Sequence, residues 1–150
     1  MPAVAFNLYD LYRKDNFNGG ALDIDAATLK MMVVTTAYAV NQNLHNFIDD
    51  AIANEVSGTG YTARGNACLA GTVTMDAAGL VTVDCDDPAA WAQDIAGFSN
   101  GRRTILYDDT GVNATSRMIG YSDDFGADKG NVDGEFTVTI NPAGIYTAPR

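Results

Sequence analysis

Asn54-Glu55-Val56-Ser57-Gly58-Thr59-Gly60-Tyr61-Thr62 divides the chain into two kinds of pattern. Two glycines within three residues mark a tight turn or backbone at positive φ, which side chains disfavour. Tyr61 and Thr62, aromatic and β-branched, restart an extended segment. Before the stretch, Leu44, Phe47, Ile48, Ala51 and Ile52 recur with a helical period. They predict a helix from Leu44 to about Ala53, capped by Asn43. After the stretch the pattern is strand-like throughout.

Ala67 to Met75 and Leu80 to Asp86 read as two strands joined by the turn Asp76-Ala77-Ala78-Gly79, a predicted hairpin. Arg102 to Tyr107 and Arg117 to Tyr121 are further strands. Glu135 to Ile140 alternates cleanly, with Phe136, Val138 and Ile140 on one face. Ile145 to Arg150 closes the chain as an edge strand or tail. On the N-terminal side, Thr28 to Thr36 is the strongest strand. Its centre, Met31 to Val34, is apolar on both faces, which places it centrally in a sheet. Residues 1–20 form an arm. Val4, Phe6 and Leu8 alternate in an extended segment, Tyr9 to Asn16 makes a short helix, and Asn18-Gly19-Gly20 ends it. The expectation is mainly β: a β-sandwich or Greek-key-like single domain over residues 1–150, of about seven strands with one packed helix.

Hydrophobic residues make up 47% of the 150, an ordinary globular share that can fill a core without metals or disulfides. The net charge is −10 and the pI about 4.2. Such a field repels nucleic-acid phosphates and anionic lipid, and the densest basic group is only Arg102-Arg103. No stretch has the length of a membrane span, and the N-terminus lacks the features of a signal peptide. Synthesis and folding in a cytoplasm are expected, with neither nucleic acid nor membrane as partner. The apolar positions Leu69, Val73 and Met75, and then Val81, Val83 and Cys85, alternate along the two hairpin strands. If these sets share a face, Cys68 points to the opposite one. That parity and a reducing compartment predict free thiols with no disulfide between Cys68 and Cys85.

Few chemical groups converge. His45 has Asp49 at i+4, which an ordinary helix-surface contact explains, and no further metal ligand is identifiable. The acidic stretch from Asp123 to Glu135 has the acids of a calcium loop but the wrong spacing, so it reads as a solvated loop. Gly58-x-Gly60 lacks the third glycine and the strand-turn-helix context of a dinucleotide site. Asn113-Ala-Thr115 is a formal glycosylation sequon, relevant only to a secreted eukaryotic protein. No catalytic residue, cofactor or metal is expected.

Several pieces of the chain resemble a small family of structural proteins from tailed-bacteriophage virions. They are Asp23 to Lys30 followed by Val33 to Tyr38; Asn41 to Asp50; Asp108-Asp109-Thr110-Gly111; and Ile119-Gly120-Tyr121. Asn54 to Thr62 is the most recognisable. Family members have a plainer segment where this chain carries Cys68 and Arg102-Arg103. The resemblance implies a non-enzymatic capsid decoration, or cement, protein. It would be made in the host bacterial cytoplasm and carried on the capsid surface of the virion. Its partners would be the major capsid protein and its own copies, as a homotrimer. Val4, Phe6 and Leu8 of the arm and Ile145 and Tyr146 near the C-terminus are the candidate docking residues, since an exposed edge strand can pair with a neighbouring chain. The alternative is a tail or fibre-associated structural protein that binds host-surface glycans through Trp91 or the tyrosines. A third reading, a glycan hydrolase with a carboxylate pair, has no identifiable pair.

Overall fold

A computed structural model describes residue 3 and residues 6–17 and 23–148. Among them the fold is mainly β, with eight strands in two antiparallel sheets, one α-helix and two short 3-10 turns. In chain order these are β1 (Phe6–Leu8), α1 (Asp10–Phe17), β2 (Leu29–Val34), β3 (Asn66–Ala67), β4 (Thr72–Met75), β5 (Val81–Asp84), β6 (Arg103–Asp108), β7 (Met118–Ser122) and β8 (Tyr146–Ala148). The larger sheet has the order β1-β7-β6-β2-β3 and the smaller one β4-β5-β8. The result is a small β-sandwich-like domain whose α-helix belongs to the N-terminal arm.

β2 and β6 form the centre, paired from Leu29 opposite Asp108 to Val34 opposite Arg103. Met31 to Val34 on one strand and Thr104 to Tyr107 on the other are wholly buried. Successive strand side chains point to opposite faces, so runs of four buried residues mean that both faces are covered.

The predicted helix over 44–53 does not form. Ile48–Asp50 and Ile52–Asn54 are 3-10 turns. Ile48 N–H bonds to Ser116 C=O, Met118 N–H bonds to Asn46 C=O, and Phe47 and Arg117 form a β-bridge. At the other end Thr35 N–H bonds to Asn54 C=O and Val56 N–H to Val33 C=O. A helix this short is marginal in water, so backbone partners on β7 and β2 displace its internal bonds. Ile48 and Ala51 are buried, as the period predicts, whereas Leu44 is 71% exposed.

The expected strand over 67–75 is broken. β3 pairs with β2 in the larger sheet, and β4 pairs with β5 in the smaller. Between them Ala70 has φ +49°, a left-handed conformation that resets the alternation of side chains. Gly71 follows where an added Cβ would lie 2.6 Å from the Ile24 carbonyl oxygen, so the crossing requires glycine. The parity argument for the cysteines therefore fails. Cys68 and Cys85 are both buried, and Cys85 lies near enough to push the Cys68 thiol up. Both are free thiols.

Phe136, Val138 and Ile140 are buried at the predicted alternate positions, but the segment makes no ladder. A bridge between Phe136 and Trp91 and Ile140 N–H on Asp87 Oδ1 at 2.6 Å help to hold it.

Candidate functional site

The stretch from Asn54 to Thr62 is a packing node. An added Cβ on Gly58 would lie 2.5 Å from Gly97 C and Phe98 N, and Gly60 has φ +78°. Gly58 lets this backbone lie directly on residues 97–98, and Gly60 lets it pass close to Asn131 and the Ala92 carbonyl. Tyr61 then stacks on Trp91, with centroids 5.9 Å apart, and meets Phe98 edge-on. Its hydroxyl accepts Val33 N–H at 3.0 Å and donates to Glu55 Oε1 at 2.7 Å. Asn131, wholly buried, closes the node. Its amide donates to Thr59 and Ala92 carbonyls, and its oxygen accepts Phe98 N–H.

A polar network extends from this node to β6. Burial pushes the Glu55 carboxyl up, against the opposing hydrogen bonds from Tyr61 and the Arg64 backbone. Arg64 sits at φ +69°, and its carbonyl accepts the Tyr107 hydroxyl at 2.5 Å. Its guanidinium donates to Asp109, Asn113 and Ser116. Lys30 Nζ reaches the other Asp109 oxygen at 2.8 Å. Burial alone would raise Asp109, but hydrogen bonds from Arg64, Lys30 and Gly111 N–H outweigh it and hold the carboxyl well below the usual range. Asp109 borders an open recess of about 360 Å³ lined also by Asp23, Thr28 and Asp108. There Asp108 accepts Thr28 N–H and Asp23 accepts Asp25 N–H, so these carboxylates hold their own backbone. Among the described residues no group of His, Cys, Asp and Glu is placed to hold a metal ion. In the sequence Asp108-Asp109 stood out only as part of a stretch that carries the resemblance. Nothing local revealed its cationic partners, which come from elsewhere in the chain.

His45 does not face Asp49. Its Nδ1 lies 2.7 Å from the Tyr38 hydroxyl, which in turn lies 2.8 Å from the hydroxyl of wholly buried Tyr9. Burial pushes Tyr38 up to about 12. This chain of polar groups ties the 38–45 loop to the N-terminal segment, together with Gln42, whose amide donates to the Leu8 carbonyl. The acidic loop is latched by the arginine pair. Arg102 bridges Asp124 at 2.7 Å and reaches Asp128 at 3.5 Å, while its carbonyl accepts Phe125 N–H. The Gly126 N–H and then Arg102 lower the Asp124 carboxyl.

Of the candidate docking residues, Phe6, Leu8 and Tyr146 lie in edge strands. Val4 lies outside the described residues. Phe6 is half-buried and Leu8 buried in β1, which among the described residues pairs only with β7 and so forms the edge of the larger sheet. Ile145 is buried in the core, with its N–H on the Val83 carbonyl. Tyr146 is half-buried in β8, an edge of the smaller sheet. Trp91, which the glycan-binding alternative named beside the tyrosines, is 1% exposed.

Sequence reasoning missed an overhang on the smaller sheet. Register places Val73, Val83 and Tyr146 in one cross-strand row and Met75 and Val81 in the next, all on the same face. Val83 and Tyr146 pack on the core, so this face looks inward. Towards edge strand β4 it outruns the core, leaving Val73 46% and Met75 71% exposed. The opposite face carries Thr72, Thr74, Thr82, Asp84 and Thr147. Compared with protein-family models, curated proteins and solved structures, the chain matches none.

Proposed function

We propose that this chain is a non-enzymatic structural protein of a tailed-phage virion. It is a capsid decoration protein that lies on the outside of the head, contacts the major capsid protein and joins neighbouring capsomers as a homotrimer. The observation that carries the reading is the apolar overhang, Val73 and Met75, exposed at the edge of a sheet on a strongly acidic chain. Exposed apolar surface at a sheet edge marks a place for another protein to cover. The resemblance of Asn54 to Thr62 supplies the virion context. A protein that binds only the expanded, mature shell stabilises that state by mass action and needs no reacting group.

The test mixes the purified protein with mature capsids stripped of it. Saturable binding is expected, and Met75→Glu should weaken it by about ten-fold, or ~1.4 kcal/mol. Because Met75 is exposed, the variant should keep its melting temperature. Cryo-electron microscopy of the virion should place the fold repeatedly at three-fold or quasi-three-fold positions. Density confined to the tail would overturn the head assignment, and undiminished binding by Met75→Glu would remove the overhang from the interface.

A further inference from the structure

We infer that Cys68 and Cys85 form a redox-reactive dithiol, a modification site that closes to an intramolecular disulfide when it meets a disulfide oxidant and thereby staples the two sheets together. The inference is independent of any virion assignment.

Placement carries it. Cys68 follows β3 and sends its N–H to the Leu29 carbonyl on β2 at 2.9 Å, so it belongs to the larger sheet. Cys85 follows β5 and belongs to the smaller one. The residues just after them are joined by a backbone hydrogen bond, Asp86 N–H to Leu69 C=O at 2.8 Å. The two backbones therefore run about one interstrand spacing, ~5 Å, apart. Disulfides span such a separation. Both side chains are buried in the core, at 3% and 8% exposure, and Cys85 lies near enough to act on the Cys68 thiol. A disulfide here would close a loop containing the whole β4–β5 hairpin.

Reactivity follows from the surroundings. The hydrogen bond to Cys85 and then burial push the Cys68 thiol up, and the nearby Asp86 and Asp87 add to that. Thiolate is the attacking form, so the closed pair reacts slowly. Every residue of β4 is exposed, and opening this hairpin uncovers Cys85. The Cys85 thiolate then attacks one sulfur of a low-molecular-weight disulfide such as oxidised glutathione, releasing one glutathione thiol and forming a mixed disulfide. On reclosure Cys68 gives up its proton and attacks the Cys85 sulfur, releasing the second glutathione. Two protein thiols and one glutathione disulfide become one protein disulfide and two glutathione thiols. The two electrons and both protons end on glutathione.

The experiment uses the intact wild-type chain, incubated with oxidised glutathione in mild urea, quenched in acid and alkylated. The expected product is a monomer about 2 Da lighter with no alkylated cysteine. Cyanogen bromide cuts after Met75, which lies between the two cysteines, so the fragments 33–75 and 76–118 should stay joined until reduced. The oxidised protein should melt about 5–10 °C above the reduced one. Cys85→Ser, which keeps a hydrogen-bonding group, should show no oxidation-dependent shift. Two alkylated cysteines, a persistent glutathione adduct, a disulfide-linked dimer or an oxidation-dependent shift in the serine variant would each overturn the assignment.

Discussion

Asp109 holds two cations at once, and its own side chain is only 9% exposed. Removing its charge leaves Arg64 and Lys30 without their shared partner. Breaking a fully buried pair costs about 3–5 kcal/mol, but Arg64 and Lys30 keep some contact with water, so we expect about 2 kcal/mol for Asp109→Asn. In a chain of this size that lowers the melting temperature by about 4–8 °C at neutral pH. The folded-state pKa of Asp109 is depressed, so its contribution is fully present above its ordinary value of 3.8 and fades as pH falls below it. The difference between wild type and variant should therefore close on acidification below about pH 4. Glu55 acts in the opposite direction. Its raised pKa gives stability below the ordinary carboxylate range that is lost as pH rises through the folded value. Melting curves across pH 2–8 for both proteins check the sign, and a gap that stays constant into strong acid would rule out the ion pair as its source.

Among elements, the 123–128 loop shows how an arginine holds a charged segment in place. Arg102 holds Asp124 and Asp128 from the start of β6, and Phe125 N–H adds a backbone bond to the same residue. The latch is solvent-exposed and screened by salt. Arg102→Ala should speed amide exchange at Gly126 and its neighbours by about two- to five-fold, leaving β2 and β6 unchanged. Raising salt towards 1 M should reproduce part of that effect in the wild type. No change in exchange at Gly126 would mean that the backbone bond alone holds the loop. The smaller sheet shows a related use of charge. Asp25 accepts the outward Val73 N–H at 3.0 Å, so a carboxylate covers part of the β4 edge while the apolar face beside it stays open.

At the scale of the whole molecule, the two sheets share one core. Val83 and Tyr146 of the smaller sheet pack on the same cluster as β2, β6 and Trp91. β1 and β8, the edges of the two sheets, also lie against each other. A shared core of this kind unfolds as one cooperative unit. Under reducing conditions, urea titrations followed by Trp91 fluorescence and by far-UV circular dichroism should give coincident midpoints. Separated midpoints would show that the smaller sheet detaches on its own, and would weaken the role of the overhang as a firm docking surface.

The residue pattern by itself determined the β-rich class, the buried centre at Met31 to Val34, the turn at Asp76 to Gly79 and the short helix after the arm. Each rests on local chemistry: β-branched runs, a glycine at positive φ, and apolar spacing within a few residues. The glycines of Asn54 to Thr62 announced a special backbone, but only the contacts of Gly58 with Gly97 and Phe98, and of Gly60 with Asn131 and Ala92, show why it is needed. Tertiary structure decided the rest. The 44–53 segment has helical spacing, yet its backbone groups find partners on β2 and β7, and those bonds outweigh a weak local preference. One left-handed residue, Ala70, lies where the two halves of an apparently continuous strand part to different sheets. Which apolar residues stay exposed was also a tertiary outcome. Alternation assigns Val73 and Met75 to the inward face, but only the extent of the core beneath them fixes whether that face is covered.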